Sequence, residues 1–373
     1  MNRSGVRWSV NRAGALAVVA LALLACTPAN RAAPTGSAAS PAPANVTPNP
    51  TAAAAFYQGK TVHLIVGFTA GGGFDTLGRL VARHLGSHIP GNPTIVVDNM
   101  PGASGLVAAN YVYSAAPKDG TVIAVFSEPG LQGQLLKADG VQFDARNFNW
   151  LGSTQVQTNL CIARTDSGIT NFQQLLQPGG SQLIVGTTGP GSNIHDFPAA
   201  LRGALNANFK LVSGYPGTAD ISLAVESGEV QGICTPWESV KVSRPHWFEG
   251  SPPFATILVQ QGTERHPDLP NVPLAEEFAQ NDEQRQVIRA ATSTLAMSKP
   301  LVAPPGVPPE RVAALRQAFV ETMKDPELIA DAEQSNIDLS VKSPEQVEKI
   351  VAQVLDSPPN VAQRLKEYLE ATQ

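Results

Sequence analysis

The globular part of this chain lacks the motifs of nucleotide-binding enzymes, serine hydrolases, metal sites and membrane spans. It has three cysteines among 373 residues, and no histidines or cysteines occur at metal-site spacing. Neither nucleotide-binding fingerprint is met, and there is no Gly-x-Ser-x-Gly elbow. Beyond the N-terminal region, no apolar run reaches the roughly 18 residues of a membrane span. We therefore predict neither an enzyme nor a cofactor or metal.

The N-terminal region has the pattern of an export signal. Arg3, Arg7 and Arg12 precede a mostly apolar run from Ala13 to Ala25. The run ends directly before Cys26, as in bacterial lipoprotein signals, whose cleavage exposes the cysteine for acylation. The alternative is an ordinary signal peptide with a chance cysteine. We predict a lipid-anchored protein in the periplasm or at the cell surface.

A tether is predicted to follow the signal. Residues 27–54 are almost entirely Ala, Pro, Thr, Ser and Asn, a composition that cannot bury a core. The predicted segments are thus a signal peptide over residues 1–25 and a tether over residues 26–54. Removal of the signal would leave 23 basic and 31 acidic residues, a net charge of −8 instead of −5. This acidic balance argues against a nucleic-acid partner.

A glycine-rich turn stands early in the globular part. A short apolar run from His63 to Val66 predicts a buried strand, and Gly71, Gly72 and Gly73 follow it. The apolar residues Leu77, Leu80, Val81 and Leu85 then share one face of a predicted helix. Because a helix N-terminus offers N–H donors and glycines allow close approach, this turn predicts a carboxylate or phosphate site. The alternative is a tight strand–helix connection without a ligand.

The strand–turn–helix pattern recurs along the chain. Further strands are predicted over residues 94–98, 121–126, 183–186, 209–213 and 230–234. Such alternation predicts parallel sheets covered by helices, with ligands bound beyond the carboxyl ends of the strands. One set of turns lies before residue 150 and another after residue 180. The sequence therefore predicts an α/β fold with two domains and a cleft between them.

Several motifs in order along the chain are similar to those of one receptor family. They are Ala70-Gly71-Gly72-Gly73-Phe74-Asp75, Asn99-Met100-Pro101-Gly102-Ala103-Ser104-Gly105, Gly191-Ser192-Asn193-Ile194-His195, Gly214-Tyr215-Pro216-Gly217 and Ala303-Pro304-Pro305-Gly306. The chain resembles the Bug family, the TctC-like extracytoplasmic solute receptors of tripartite tricarboxylate transporters, from about Tyr57 to about Pro358. Thr69 departs from the pattern, since the family usually has proline there.

The resemblance implies a type II-like periplasmic-binding-protein fold, with two α/β domains, a hinge of crossing strands and closure on a small organic acid. It implies one domain of residues 55–155 plus 291–373 and a second of residues 156–290. Membrane permease subunits are the implied partners of a monomeric receptor. The sequence is equally compatible with a sensor for a signalling partner, and a remoter alternative is an enzyme with a phosphate-bearing cofactor.

The candidate ligand-binding residues lie at or shortly after the ends of predicted strands. They are Gly71, Gly72, Gly73, Phe74, Asp75, Ser104, Ser127, Thr187, Thr188, Ser192, Asn193, His195, Tyr215 and Trp237. Neutral N–H and hydroxyl donors dominate, and the turns hold no cluster of arginine or lysine. This favours a small mono- or dicarboxylate over a phosphate ester.

Some of these residues have a structural explanation as well. Asp75 could simply favour its helix dipole, although the resemblance implies a place beside the ligand. His195, Tyr215 and Trp237 could be packing residues. For Cys161 and Cys234 the sequence leaves open a disulfide or two buried thiols, since each lies in an apolar, strand-like run.

Overall fold

The computed structural model describes residues 50–126 and 129–371. The predicted signal peptide, most of the tether, Cys26 and Ser127 lie outside the described residues. The helices are α1 Pro50–Tyr57, α2 Gly73–His88, α3 Leu106–Ser114, α4 Pro129–Leu135, α5 Gln173–Leu176, α6 Asn193–Leu205, α7 Thr218–Ser227, α8 Trp237–Ser243, α9 Asp282–Thr292, α10 Pro309–Thr322, α11 Pro326–Gln334, α12 Pro344–Leu355 and α13 Pro359–Glu370. The strands are β1 Thr61–Val66, β2 Thr94–Asn99, β3 Val122–Val125, β4 Asn149–Gln155, β5 Asn159–Arg164, β6 Leu183–Thr187, β7 Phe209–Ser213, β8 Gly232–Pro236, β9 Ala255–Gln261 and β10 Ser298–Ala303.

Two five-stranded sheets organise the described chain, with the orders β2-β1-β3-β10-β4 and β7-β6-β8-β5-β9. In the first sheet β1 pairs parallel with β2 and β3, and in the second β6 pairs parallel with β7 and β8. The parallel strands alternate with helices in sequence, as the strand–turn–helix pattern predicts. We call the parts built around these sheets lobe 1 and lobe 2.

One antiparallel strand in each sheet arrives from the other lobe. β5 follows β4 after three residues and pairs antiparallel with β8 and β9 of the second sheet. β10 follows α9 and a short 3-10 helix, and it pairs antiparallel with β3 and β4 of the first sheet. The two crossings touch, since the Gln157 N–H donates to the Leu295 carbonyl at 2.9 Å. These paired crossings are the connection on which the lobes could hinge.

The buried residues of lobe 1 explain why its central strands are so apolar. Val62, Leu64 and Val66 of β1 have at most a trace of exposed surface, and they pack against Leu77 and Leu80 of α2. Burial of each such side chain contributes roughly 1.5–3 kcal/mol to the stability of the folded protein. The carboxyl end of β1 is thereby held rigidly beneath the glycine turn.

The N-terminal end of the described chain is more ordered than its composition predicts. The tether was expected to reach residue 54, but α1 begins at Pro50 and buries Ala53 and Tyr57. The Tyr57 hydroxyl donates to the Gly120 carbonyl at 3.1 Å, and burial raises the pKa of this phenol. Alanines favour a helix once an aromatic side chain supplies a packing face, which the sequence composition alone did not reveal.

The last helix packs on the side of lobe 2. α13 contacts α6 and α9, and a Cβ added at Gly203 of α6 would lie only 2.1 Å from Cγ of Tyr368. The preceding helices α10 and α12 instead contact β4 of the first sheet. We keep the two-domain division as a proposal, with residues 359–370 assigned to lobe 2.

A disulfide joins two neighbouring strands of lobe 2. Cys161 of β5 and Cys234 of β8 stand directly opposite each other in the antiparallel register, with Cα atoms 4.0 Å apart. Both residues are buried. The bond ties the strand that crosses between the lobes to the centre of the second sheet. Among the described helices, none has the length and apolar character needed to span a bilayer.

Candidate ligand-binding cleft

The glycine turn leaves the N-terminus of α2 accessible. Gly72 occupies the N-cap position and supplies no side-chain hydrogen bond to the first helical turn. A Cβ added at Gly71 or Gly73 would meet no atom within 4 Å. Gly73 has no packing reason to be glycine, although glycine costs about 1 kcal/mol in a helix relative to alanine. The space beside Gly71 and Gly73 is therefore open, as close approach of an anion to a helix N-terminus requires.

The Asp75 side chain holds this turn in place through hydrogen bonds. It is 3% exposed, and its Oδ2 accepts from the Gly71 N–H at 2.8 Å and from Arg79 Nε at 2.9 Å. Its Oδ1 accepts from Asn99 Nδ2 at 2.9 Å, and that same amide donates to the Phe68 carbonyl at 2.9 Å. The hydrogen bond from Arg79 is the main cause that lowers the pKa of Asp75 to about 2. The carboxylate thus holds the turn in shape through internal donors.

Replacing Asp75 by asparagine should loosen the turn. The amide has one accepting oxygen, so it cannot accept from the Gly71 N–H and Arg79 on one side and from Asn99 on the other. We therefore expect a loss of about 1–3 kcal/mol in the free energy of unfolding and weaker carboxylate binding. The folded-state pKa of about 2 lies below the usual 3.8, so Asp75 stabilises fully above about pH 4. Wild type should therefore lose this advantage over the variant as the pH falls from 4 towards 2, measured by thermal unfolding.

The comparison variant is Asp196→Asn, the same change at an aspartate of lobe 2 that accepts from the Gly191 N–H. Equal melting temperature and equal affinity of Asp75→Asn and wild type would contradict the bracing role.

A second turn of lobe 1 lies directly beside the first. A Cβ added at Gly67 would lie 3.1 Å from the Gly105 Cα, so the two backbones are in contact. Around Ser104 four consecutive residues, Gly102 to Gly105, have positive φ, with φ of 53° at Ser104 itself. Left-handed conformations are costly for non-glycine residues and concentrate at functional sites. Ser104 is exposed at the head of α3.

Lobe 2 presents two turns in the same way. The Gly214 N–H donates to the Thr188 carbonyl at 3.0 Å, and Thr187 Oγ1 lies 2.9 Å from Ser213 Oγ. The turns after β6 and β7 are therefore joined. Thr187 is buried and its hydroxyl is engaged in this link, whereas Thr188 is half-buried.

The turn before α6 repeats the architecture of the glycine turn. Gly191 has φ of 84° where Gly71 has 83°, and its N–H donates to Asp196 Oδ1 at 3.0 Å. Ser192 is the N-cap and accepts from the His195 N–H at 3.4 Å. Its hydroxyl also lies 2.5 Å from Thr188 Oγ1. Asn193, half-buried, begins the helix.

His195 occupies the helical position that Asp75 has in α2, the third residue of the helix. It is 5% exposed, and its Nδ1 lies 3.0 Å from Asp196 Oδ1. Asp196 therefore orients the imidazole and holds the Gly191 backbone at once. No recognised motif marks Asp196 in the sequence, although a carboxylate five residues after Gly191 repeats the Gly71–Asp75 arrangement with one extra residue.

Two predicted aromatic residues have their polar groups engaged within lobe 2. The Tyr215 hydroxyl donates to Glu229 Oε1 at 2.7 Å, and burial together with Glu229 raises its pKa to about 12. Trp237 Nε1 donates to Asp268 Oδ2 at 3.1 Å, and its ring packs on Phe248. These contacts match the packing explanation given for both residues.

Near the crossings, a lysine that was not among the predicted site residues lies beside the glycine turn. The Lys299 ammonium donates to Gln155 and lies 5.6 Å from the ring centroid of Phe74, which itself stacks on Phe68 at 4.2 Å. Lys299 has φ of 52°. No motif marks it, because only the return of β10 from lobe 2 brings it beside the glycine turn.

A carboxyl group lies near the same crossings. Glu238 Oε1 accepts from the Thr158 N–H at 3.4 Å, while Oε2 is buried with no hydrogen-bond partner among the described residues. Burial raises the pKa of this carboxyl. The positive charge of Lys299, on β10 of the first sheet, opposes this rise of the Glu238 pKa.

One cavity of about 400 Å³ is lined by residues of both lobes. Ser104 lines it from lobe 1, and Gly191 lines it from lobe 2. The described residues contain no group of histidine, cysteine, aspartate or glutamate that could hold a metal ion. The arrangement is that of a binding cleft with helix N-termini and hydroxyl donors on facing walls.

Known proteins share both the sequence pattern and the fold. Residues 79–366 match the model of the tripartite tricarboxylate transporter family receptor, a range that begins just after the glycine turn. A curated relative, the UPF0065 protein in the gbd 5' region of Cupriavidus necator, is 27% identical over 72% of this chain and 76% of its own length.

Solved structures of the same type align over most of the chain. A TctC solute-binding protein from Polaromonas has a TM-score of 0.65 and 20% identity, covering 85% of this chain and 100% of its own. MatC of Rhodopseudomonas palustris, solved with bound malate, has a TM-score of 0.56 and 21% identity, covering 83% of this chain and 99% of its own. This likeness confirms the predicted periplasmic-binding-protein fold, and the family match confirms the resemblance seen in the motifs. The chain belongs to the receptor family of the tripartite tricarboxylate transporters.

Proposed function

We propose that this protein is an extracytoplasmic receptor that captures a small mono- or dicarboxylate between its lobes and delivers it to a tripartite tricarboxylate-type permease. The observation that carries the proposal is the pairing of two similar strand–helix turns, one in each lobe. Gly71 and Gly191 adopt the same left-handed conformation, and each gives its N–H to an aspartate of the following helix. Closure would bring two sets of donors onto one anion.

The donors are neutral, which suits a carboxylate. Backbone N–H groups at the start of α2 and the Ser104 hydroxyl can bind an anion without a paired cation. The hydroxyls of Thr188 and Ser192 contact each other, and Ser192 donates to the Gly189 carbonyl at 2.9 Å, so these two would join the site by rotating towards the ligand. Helix N-termini favour negative charge by roughly 0.3–1 kcal/mol each at exposed positions. Malate bound to the structurally similar MatC supports this ligand class.

The remaining parts of the proposal concern location and partners. Family membership and the N-terminal sequence pattern support export, acylation of Cys26 and a monomeric receptor held at the membrane by a lipid. The family is one of transporter receptors, and it is not an enzyme family. Ligand capture then consists of a population shift from open to closed states, without a chemical step.

Thermal-shift screening tests the ligand class. We expect organic acids to raise the melting temperature, because a ligand present at 100 times its Kd adds about 2.7 kcal/mol to the free energy of unfolding. Amino acids and neutral sugars of similar size serve as the comparison sets. Stabilisation by sugars alone would refute the proposal, and mass spectrometry of molecules released from gently purified protein would identify the natural ligand.

A further inference from the structure

The cavity that joins Ser104 to Gly191 lies beside the anion-binding turns: Gly191 belongs to the turn of lobe 2, and Gly105, next to Ser104, contacts Gly67 just before the glycine turn. We call it the inter-lobe groove: the space bounded by the α3–α4 region of lobe 1 and by the Gly191 turn and α13 of lobe 2. Its volume of about 400 Å³ lies in the range of small-molecule sites. Because Ser104 and Gly191 both line it, a ligand held at these turns has the groove as the space for its remaining atoms.

The groove wall is mainly apolar. Leu106, Leu136 and Val141 line it from lobe 1, and Pro190 and Leu369 line it from lobe 2. Leu106, Leu136 and Val141 are half-buried, so apolar surface remains in contact with solvent when no ligand is bound. A hydrocarbon group that covers this surface would contribute roughly 25 cal/mol to the free energy of binding for each Å² removed from water.

The charges on the rim do not form a second anion site. Lys137 and Lys366 stand against three acidic residues, Asp139, Asp196 and Glu370. Lys366 Nζ lies 3.7 Å from Glu370 Oε1, so part of its charge is already balanced. With an excess of acidic groups, the rim would give a second carboxylate no net attraction.

From these three observations we propose that the ligand is a monocarboxylate with an extended apolar body. Its carboxylate binds the donors of the paired turns, and its apolar body lies in the inter-lobe groove against Leu106, Val141 and Leu369. This inference rests on the proposed function and narrows it, because a charged C4 dicarboxylate would leave the apolar wall exposed.

Calorimetric titration of the full-length protein with two matched series tests the inference. The first series is the straight-chain monocarboxylates from acetate to octanoate, and the second is dicarboxylates of equal length. We expect Kd to fall about fourfold per added methylene until the groove is filled. Each dicarboxylate should bind at least about tenfold more weakly than the monocarboxylate of equal length, since its second charge enters an apolar space.

A variant separates the groove from other apolar surfaces. Ala138 is exposed at the groove wall, and Ala138→Phe should fill part of the space. We expect octanoate to lose at least tenfold in affinity while acetate is unchanged. The matched control is Ala330→Phe, an exposed alanine on α11 that does not line the groove. If Ala138→Phe does not fold, the wild-type series decides alone.

The outcomes distinguish the two proposals. A Kd that does not change with chain length, or dicarboxylates that bind more tightly, would overturn the inference while the receptor function stands. Equal loss of octanoate affinity in both phenylalanine variants would also overturn it. If no acid of either series binds, acetate and succinate included, the proposed function itself fails.

Discussion

Gly72→Asp should abolish carboxylate binding while leaving the protein as stable as wild type. Gly72 is the N-cap of α2 with an ordinary extended backbone, φ −81° and ψ 169°, and its added Cβ would lie at normal contact distance, 3.5 Å, from the Thr69 carbonyl oxygen. Aspartate is among the preferred N-cap residues, so the helix gains a few tenths of a kcal/mol. The new carboxylate takes the N–H groups that the ligand would use.

Its charge adds to this competition. Two like charges 4 Å apart repel by roughly 4 kcal/mol near a protein surface, so a loss of at least about 100-fold in affinity is expected. Gly72→Asn is the matched control, because asparagine caps equally well without a charge and should weaken binding by only about tenfold. Calorimetric titration and thermal unfolding of both variants provide the measurements. Wild-type affinity in Gly72→Asp would place the carboxylate site away from this turn.

Loss of the disulfide should have the largest effect on stability. Cys161 and Cys234 are 73 residues apart in sequence, so the bond restricts a long loop of the unfolded chain. Loop-entropy models give about 4 kcal/mol for a loop of this size. We expect Cys161→Ala/Cys234→Ala to lower the urea midpoint accordingly, with cavity formation adding to the loss.

Reduction of the wild-type protein provides the control for this experiment. A reductant should lower the wild-type midpoint towards that of the double variant and leave the variant itself unchanged. Wild-type protein whose thiols can all be alkylated, yet whose midpoint matches the untreated protein, would contradict a stabilising bond.

Local signals identified most of the architecture. The strand predicted over residues 209–213 matches β7. The residues after Asn193 also predict a helix, from about residue 194 to 205, and α6 matches it within one residue. The sequence offers Ser192 or Asn193 as the cap of that helix, because a hydroxyl or amide side chain precedes a helical run, and the structure uses Ser192. The strand predicted over residues 230–234 begins instead at Gly232, since its pairing with β5 sets its bounds. Pairing partners lie far apart in sequence and leave no local mark.

The sequence by itself determined the glycine turns, the alternation of strands and helices, and the chemistry of the donors, because turns and amphipathic helices depend on neighbouring residues. Only the tertiary structure decided what those residues do. It used Asp75 as a brace and gave the Tyr215 and Trp237 polar groups partners of their own. It also brought α13 to the rim of the groove and Lys299 beside Phe74. The approach of Lys299 to Phe74 joins segments more than two hundred residues apart, and it forms only when the crossing strand β10 returns to the first sheet.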